Sequence, residues 1–180
     1  MQTVRVPALV LLFAASACGQ KIGDACNVSS ECSTDASRVC DTFSPGGYCT
    51  IAGCDFGTCP DEAVCVRFFP AVENAAQCGE GLPACAIDEV CTVGGQCAPR
   101  SIELRFCMLA CGSDGDCRPE YECRNRELMT IHGGEPVPDP RAGGAPLDRS
   151  FCAARRPCMT NDDCDQGDLC DRATRVCLPG

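Results

Sequence analysis

Cysteine is the residue that most constrains this chain, because 21 of its 180 residues are Cys. A content above about 8–10% is typical of small scaffolds held by disulfides. Large apolar residues are scarce, with no Trp, two Tyr and seven Phe. A core that thin rarely supplies more than about 3–5 kcal/mol, so disulfides worth roughly 2–4 kcal/mol each must hold the fold. Such bonds persist in oxidising compartments, which predicts an exported, extracellular protein.

Residues 1–17 have the features of a cleavable export signal. Arg5 supplies a positive charge, an apolar run extends from Val6 to Ala15, and small residues precede Cys18. This run is shorter than the ~20 residues that a transmembrane helix needs. No later stretch is as apolar, so we predict a signal peptide at 1–17 and no transmembrane helix after cleavage.

Cys18 is the predicted lipid site. Ala15-Ser16-Ala17-Cys18 resembles the bacterial lipobox, in which an acylated Cys becomes the new N-terminus, although Ala15 stands where Leu is usual. The same residues satisfy the A-x-A rule for an ordinary secretory signal, which would leave Cys18 free or bonded to another chain. The odd cysteine count favours the lipid, because removing one of 21 leaves a number that can pair completely. Gly19 rather than Asp favours the outer membrane, by resemblance to Gram-negative lipoproteins.

The remaining cysteines form sets of four. The sets occupy 26–49, 54–107, 78–97, 111–152 and 158–177, with 78–97 nested in 54–107. In three of them an acidic residue precedes the second Cys: Glu31, Asp116 and Asp163. Long insertions delay the fourth Cys of 54–107 and of 111–152. We predict one small knot for each set, preceded by a short lipidated tether at 18–25.

The pairing within each set is open, because four cysteines allow three connectivities. We favour first-to-third and second-to-fourth, since this pairing crosses two short loops, whereas a second-to-third bond would close one small isolated loop. The predicted disulfides are Cys26–Cys40, Cys32–Cys49, Cys54–Cys65, Cys59–Cys107, Cys78–Cys91, Cys85–Cys97, Cys111–Cys123, Cys117–Cys152, Cys158–Cys170 and Cys164–Cys177.

Turn signals and short β-favouring runs predict hairpins and little helix. Residues 66–69 are expected to pair with 102–106 at the base of the first insertion, and 124–131 with 147–151 at the base of the second. The segment 131–146 is rich in Gly and Pro and is interpreted as a mobile loop. The predicted fold class is therefore small and disulfide-rich, with tandem four-cysteine knots, short β-hairpins and little helix.

The pattern over about residues 22–180 resembles the cysteine-rich lipoproteins abundant in myxobacteria. It also loosely resembles the Dickkopf-type C-x5-[DE]-C repeats of animal extracellular proteins. The resemblance is carried by the cysteine spacing, the acidic residue before the second Cys and the Gly turns. It implies an extracellular scaffold anchored to a membrane, and it specifies no ligand.

No metal or cofactor is predicted. The chain lacks the C-x2-C spacing that structural zinc sites usually carry. The acidic turn 161–168 alternates oxygen-bearing side chains, but Gln166 stands where an EF-hand needs Gly and no Glu follows at the twelfth position. We interpret the turn as solvated, and calcium remains the alternative there.

No catalytic group set is evident. His132 is the only His, lies in the Gly/Pro-rich segment, and no G-x-S-x-G elbow is present. The formal net charge of −10 argues against nucleic acid, whose binders carry basic patches. The sequence therefore indicates a protein that is not an enzyme.

Several other residues are interpreted as part of the scaffold. We expect Arg124, Arg126 and the pair Arg155-Arg156 to be rim charges. We expect Phe68-Phe69 and Tyr121 to cover disulfides.

The sequence predicts a non-catalytic cell-surface lipoprotein, a binding or structural module of the cell envelope. Its expected partners are the membrane, through the covalent lipid (palmitate), and an unknown protein or polysaccharide. The alternative is a disulfide-rich protease inhibitor with a reactive loop near 153–157, and an enzyme ranks last.

Overall fold

The computed structural model describes residues 19–70, 74–142, 147–155, 160–161, 164, 168–171 and 176–179. The helices are α1 (Ser29–Cys32) and α2 (Arg126–His132). The strands are β1 (Val39–Asp41), β2 (Tyr48–Thr50), β3 (Ala63–Phe68), β4 (Glu89–Cys91), β5 (Cys97–Pro99), β6 (Leu104–Cys111), β7 (Tyr121–Arg124), β8 (Glu135–Pro136), β9 (Ser150–Ala154), β10 (Asp168–Asp171) and β11 (Val176–Pro179). The predicted class, small and disulfide-rich with short hairpins, is confirmed.

Every four-cysteine unit is built on one antiparallel hairpin. The third and fourth cysteines of each unit lie directly opposite each other on its two strands: Cys40 and Cys49, Cys65 and Cys107, Cys91 and Cys97, Cys123 and Cys152, and Cys170 and Cys177. The first and second cysteines precede the hairpin. Both insertions therefore lie in a hairpin connection, between the third and the fourth Cys.

Eight disulfides join cysteines first to third and second to fourth within their units. They are Cys26–Cys40, Cys32–Cys49, Cys54–Cys65, Cys59–Cys107, Cys78–Cys91, Cys85–Cys97, Cys111–Cys123 and Cys117–Cys152. Cys164 and Cys170 are also disulfide-bonded. The pairs proposed for them, Cys158–Cys170 and Cys164–Cys177, include side chains that lie outside the described residues.

The 54–107 and 111–152 units share one sheet, with strand order β7-β9-β6-β3-β8. The link is made where β6 continues past β3 and pairs with β9 through Ala110 and Phe151. The core lies between this sheet and the first unit, where Tyr48, Val66 and Phe151 are almost completely buried. The disulfides therefore add to a continuous apolar core instead of replacing it.

The hairpin predicted at the base of the first insertion is confirmed, with Val66 opposite Phe106 and Phe68 opposite Leu104. The strand predicted over 124–131 is wrong beyond Arg124, because residues 126–132 form helix α2. Asn125 begins this helix, and its side-chain oxygen accepts a hydrogen bond from the Leu128 backbone N–H. That N-cap, followed by good helix formers, outweighs the β-favouring run.

The prediction of a mobile loop over 131–146 is wrong for the part that the structure describes. After Gly133, Glu135 and Pro136 form β8 and pair with β3. Val137 is buried, and its backbone N–H donates to the Cys65 carbonyl. The Pro-rich composition resembles that of a linker, but apolar and acidic side chains within it find partners on the sheet. Residues 143–146 lie outside the described residues.

The acidic residue before the second Cys is a backbone cap. The Glu31 carboxylate accepts from the N–H of Asn27, and the Asp116 carboxylate accepts from the N–H of Gly112. Both donors directly follow the first Cys of their unit. In the 54–107 unit, which has one residue fewer between the two cysteines, the Thr58 hydroxyl accepts from Asp55 N–H in the same way. The repeated acidic residue thus closes the turn between the first two cysteines.

A second cap recurs three residues after the first Cys. Side-chain oxygens of Ser29, Asp114 and Asn161 accept hydrogen bonds from the backbone N–H of the third Cys in their units, at 3.1, 2.6 and 3.0 Å. Each bond fixes the segment that carries the first cysteines against the hairpin. Asn161 shows that the last unit repeats this cap, and its Asp163 lies outside the described residues.

We expect Asp116→Asn to destabilise the protein at neutral pH and to have no such effect in acid. Hydrogen bonds from the backbone N–H groups of Gly112 and Ser113 hold the pKa of Asp116 below its usual value. A carboxyl whose pKa is lower in the folded state stabilises above its unfolded pKa, about 3.9, and loses that contribution as the pH falls. Thermal midpoints measured from pH 2 to 7 test this.

Asp61→Asn is the matched control, because the Asp61 side chain is exposed and accepts no hydrogen bond from the described residues. The Asp61 variant should follow the wild-type curve. A constant difference between Asp116→Asn and wild type at every pH would contradict the capping role.

Residues 19–25 are packed against the first unit, so the segment predicted as a tether is ordered from Gly19 onward. The Ile22 side chain is 1% exposed and belongs to the core. Gly23 N–H donates to the Cys49 carbonyl, and Cys49 N–H donates to the Asp24 carbonyl. In the part of the chain that the structure describes, no helix is long and apolar enough to cross a membrane.

Candidate functional site

A buried charge cluster lies where helix α2 folds back onto the sheet. It consists of Glu122 and Arg124 of β7 and His132 at the end of α2. Glu122 and Arg124 are 6% and 5% exposed, and they share one face of β7 because they are two residues apart. The Arg124 side chain was expected at the rim, and that interpretation is wrong, since the insertion covers it.

The cluster is closed by short contacts. Glu122 Oε1 accepts from Arg124 Nε at 2.9 Å and lies 2.7 Å from His132 Nδ1. Arg124 also donates to the carbonyls of His132, Gly133 and Ala154. The guanidinium thus ties the end of α2 to β9, and His132 is held in place although it lies in the segment that was interpreted as a mobile loop.

A second ion pair fixes the nested unit 78–97. The Arg67 guanidinium bonds the Glu135 carboxylate through Nε at 2.7 Å and Nη2 at 2.6 Å. The other oxygen of Glu135 accepts from the Val93 backbone N–H at 2.7 Å. Both side chains are mostly buried, at 14% and 13% exposed. One carboxylate therefore joins β3, β8 and the nested unit.

A cleft of about 310 Å³ lies between the nested unit and α2, with His132 and the hydroxyls of Thr92 and Thr130 in its lining. These hydroxyls donate to the backbone carbonyls of Gln96 and Glu127. Nucleophilic catalysis needs a nucleophile hydrogen-bonded to its base. Among the described residues, the His132 side chain hydrogen-bonds Glu122, and neither hydroxyl of the cleft is its partner, so no nucleophile is paired with this base.

The cysteine sulfurs that lie within 4.8 Å of one another belong to crossing disulfides. Such a sulfur carries no thiolate, the form that binds metal. The fifth group of possible ligands adds Glu89 to the bonded pair Cys85–Cys97. For the acidic turn 161–168, Cys164 is disulfide-bonded, and Asp162, Asp163 and 165–167 lie outside the described residues.

Tyr121 and Arg155, two residues singled out from the sequence, have structural roles. Tyr121 stacks on Tyr48 at a centroid distance of 5.4 Å, and Arg118 lies 4.6 Å above the Tyr121 ring. Burial raises the pKa of both tyrosines. Arg155 is half-buried and donates to the Tyr121 carbonyl and to Asp114. Arg156 and Cys18 lie outside the described residues.

The segment proposed for protease inhibition is partly a strand. Ala153 and Ala154 belong to β9 and pair with β7, and Ala153 is buried. Arg155 follows the strand and is half-buried, and residues 156 and 157 of the proposed loop lie outside the described residues.

Phe43 is the aromatic side chain most open to solvent, at 100% exposure, among the residues described. It lies in the β1–β2 turn, where its N–H bonds Asp41 Oδ1. The next residues are clamped by Arg118 and Tyr121, which donate to the carbonyls of Gly47 and Pro45. Gly47 has φ +67°, and any Cβ there would lie 1.8 Å from the Cys26 carbonyl oxygen. The turn is therefore fixed behind an exposed ring.

Ile87 has the same character in the nested unit, with 101% exposure. Two hydrogen bonds close the turn that carries it. Ala86 N–H donates to the Glu89 carboxylate, and Glu89 N–H donates to the Ala86 carbonyl. The Asp88 backbone carbonyl accepts a hydrogen bond from the Arg100 N–H, and a disulfide joins Cys85 to Cys97. Sequence patterns gave no signal for either exposed residue, because exposure depends on the packing of the whole unit.

No protein-family model, curated protein or solved structure matches this chain. A functional assignment therefore depends on the residues themselves.

Proposed function

We propose that this chain is a non-catalytic lipoprotein of the cell envelope. Its lipid is on Cys18, and it binds an envelope protein or polysaccharide through the exposed residues Phe43 and Ile87. The outer membrane of a Gram-negative bacterium of the myxobacterial type is the proposed location. The observation that carries the binding role is the rigid presentation of these two side chains.

A held turn matters because ordering a loop on binding opposes association, and a turn whose backbone is already hydrogen-bonded needs no further ordering of its backbone. The Phe43 and Ile87 turns have their backbone bonds made before any partner arrives. Isolated exposed apolar residues are common on proteins. Among the described residues, Phe43 and Ile87 are the large apolar side chains with the greatest exposure, and the position of both on hydrogen-bonded turns is less easily explained by chance.

The absence of catalysis is proposed because the charged groups with buried side chains are used within the fold. Glu122, Arg124 and His132 satisfy one another, and Arg67 satisfies Glu135. Buried charges arranged for chemistry would instead face a reacting group.

The anchor is supported by cysteine arithmetic. Eighteen cysteines are disulfide-bonded: sixteen in the eight described pairs, together with Cys164 and Cys170. Of the total of 21, only Cys18, Cys158 and Cys177 remain. Cys158 and Cys177 belong to the last set, 158–177, whose predicted pairing uses both of them, which leaves Cys18 for the lipid.

The test uses the native protein purified from envelopes with its own leader. Intact mass should show acyl chains that disappear in Cys18→Ala. Binding is then measured against purified surface polysaccharide and exported proteins of the producing cell. We expect Phe43→Ser and Ile87→Ser each to weaken the binding that wild type shows by at least tenfold, as loss of a binding hot spot would.

Ile131→Ser is the control, because Ile131 is 51% exposed on α2. Equal binding by all three variants would contradict the assignment to Phe43 and Ile87. A wild-type protein that binds nothing at micromolar concentration would contradict the binding role.

A further inference from the structure

We infer that the first unit lies directly on the bilayer and that the surface around α1 contacts the lipid. This inference rests on the proposed lipid at Cys18 and adds the surface that faces the membrane. The surface, called the α1 surface, comprises residues 27–31 and 38–39.

The first step is the length of free chain. Gln20 is already fixed, because its carbonyl accepts a hydrogen bond from Arg38 Nη1. Ile22, two residues later, is 1% exposed. An extended chain covers about 3.3–3.6 Å per residue, so Cys18 can lie no more than ~7 Å from Gln20. A lipid there leaves no spacer that could separate the unit from the headgroups.

The second step is which surface lies beside Cys18. A side chain at Gly19 would come 3.4 Å from the Cys32 carbonyl oxygen at the end of α1. Arg38, which holds Gln20, directly precedes β1. Cys40 N–H donates to Ser29 Oγ, which places the start of α1 against β1. Gly19 and Gln20 thus lie beside α1 and the start of β1.

The third step is the chemistry of that surface. Val28 and Val39 are 53% and 37% exposed, and both belong to it. Its residues carry one acid, Glu31, and one base, Arg38, and Arg38 also pairs with Glu62 at 3.8 Å, so the surface has no excess of basic charge. Exposed apolar side chains without a basic patch suit contact with the bilayer interface, because the lipid anchor already holds the protein close to it. Contact should therefore be insensitive to salt and to anionic lipid, unlike contact by a basic patch.

The experiment exploits the absence of Trp from the sequence. Full-length acylated protein carrying Val28→Trp, Val39→Trp or Ile87→Trp is reconstituted into phosphatidylcholine nanodiscs that contain a headgroup spin label. We expect the label to quench the fluorescence of the first two variants at least threefold more than that of Ile87→Trp. Exchanging 50 mM for 500 mM salt should leave the ratio unchanged.

A spacer variant separates contact from anchoring. Twelve Gly and Ser residues inserted between Cys18 and Gly19 should reduce quenching of Val28→Trp to the level of Ile87→Trp, while the acyl mass remains. Acylated protein with equal quenching at all three positions overturns the inference and leaves the lipid assignment intact. Protein without acyl mass overturns the lipid assignment, and this inference with it.

Discussion

Replacing Glu122 by Ala should lower the free energy of unfolding by about 3 kcal/mol. The change leaves the Arg124 guanidinium buried without its carboxylate, and breaking a buried pair in this way typically costs 3–5 kcal/mol. We expect the lower end, because three backbone carbonyls still accept hydrogen bonds from Arg124. Helix α2 should also exchange its amide hydrogens faster, since the guanidinium ties its last residues to the sheet.

Guanidinium denaturation followed by tyrosine fluorescence measures this, because both tyrosines lie buried in the core. Glu127→Ala is the control on the exposed side of α2 and should change stability by less than ~0.5 kcal/mol. Arg124→Met should cost less in the Glu122→Ala background than in wild type, since it removes the orphaned charge. Additive effects of the two substitutions would contradict a coupled buried pair.

Removing the Cys59–Cys107 disulfide should destabilise the protein by up to about 4 kcal/mol. The bond closes a sequence separation of 48 residues, and entropy of the unfolded chain makes longer loops matter more. Cys107 is 0% exposed at the centre of β6, and its carbonyl accepts from the Thr50 hydroxyl. Loss of the bond therefore loosens the sheet where the first unit joins it. The tyrosine-monitored transition of Cys59→Ala/Cys107→Ala measures the effect.

Cys85→Ala/Cys97→Ala is the comparison. That bond spans a separation of 12 residues and lies within the nested unit. Its loss should affect amide exchange over 78–99 and leave the tyrosine transition within ~0.5 kcal/mol of wild type. A similar shift of that transition in both double variants would show that the nested unit is an integral part of the core.

The cysteine framework could be predicted because its signal is local and repeated. Short spacings limit which sulfurs can meet, and the same spacing recurs around Cys26 and Cys111. The β3–β6 pairing was predictable for a similar reason, since Val66 and Phe106 lie in apolar runs at the two ends of an insertion. In each case the residues that interact are marked by a pattern in the sequence itself.

The buried charge cluster could not be predicted, because its members become neighbours only through tertiary folding. Arginine usually lies at the protein surface, and the burial of Arg124 follows from helix α2 closing over β7. His132 lies in a segment whose Gly and Pro content suggested mobility. Asn125, a favourable N-cap, is a sequence signal for the helix, but the β-favouring residues beyond it favour a strand.

The hairpin in each unit provides a position at which sequence can be inserted. The third and fourth cysteines stand opposite each other, and each is bonded to the segment before the hairpin, so the strand register is pinned at its base. Sequence added between them changes neither the bonded pairs nor the register. The nested unit and α2 are two such additions. The same position would accept a foreign peptide or domain, which makes this architecture a natural scaffold for grafting and display.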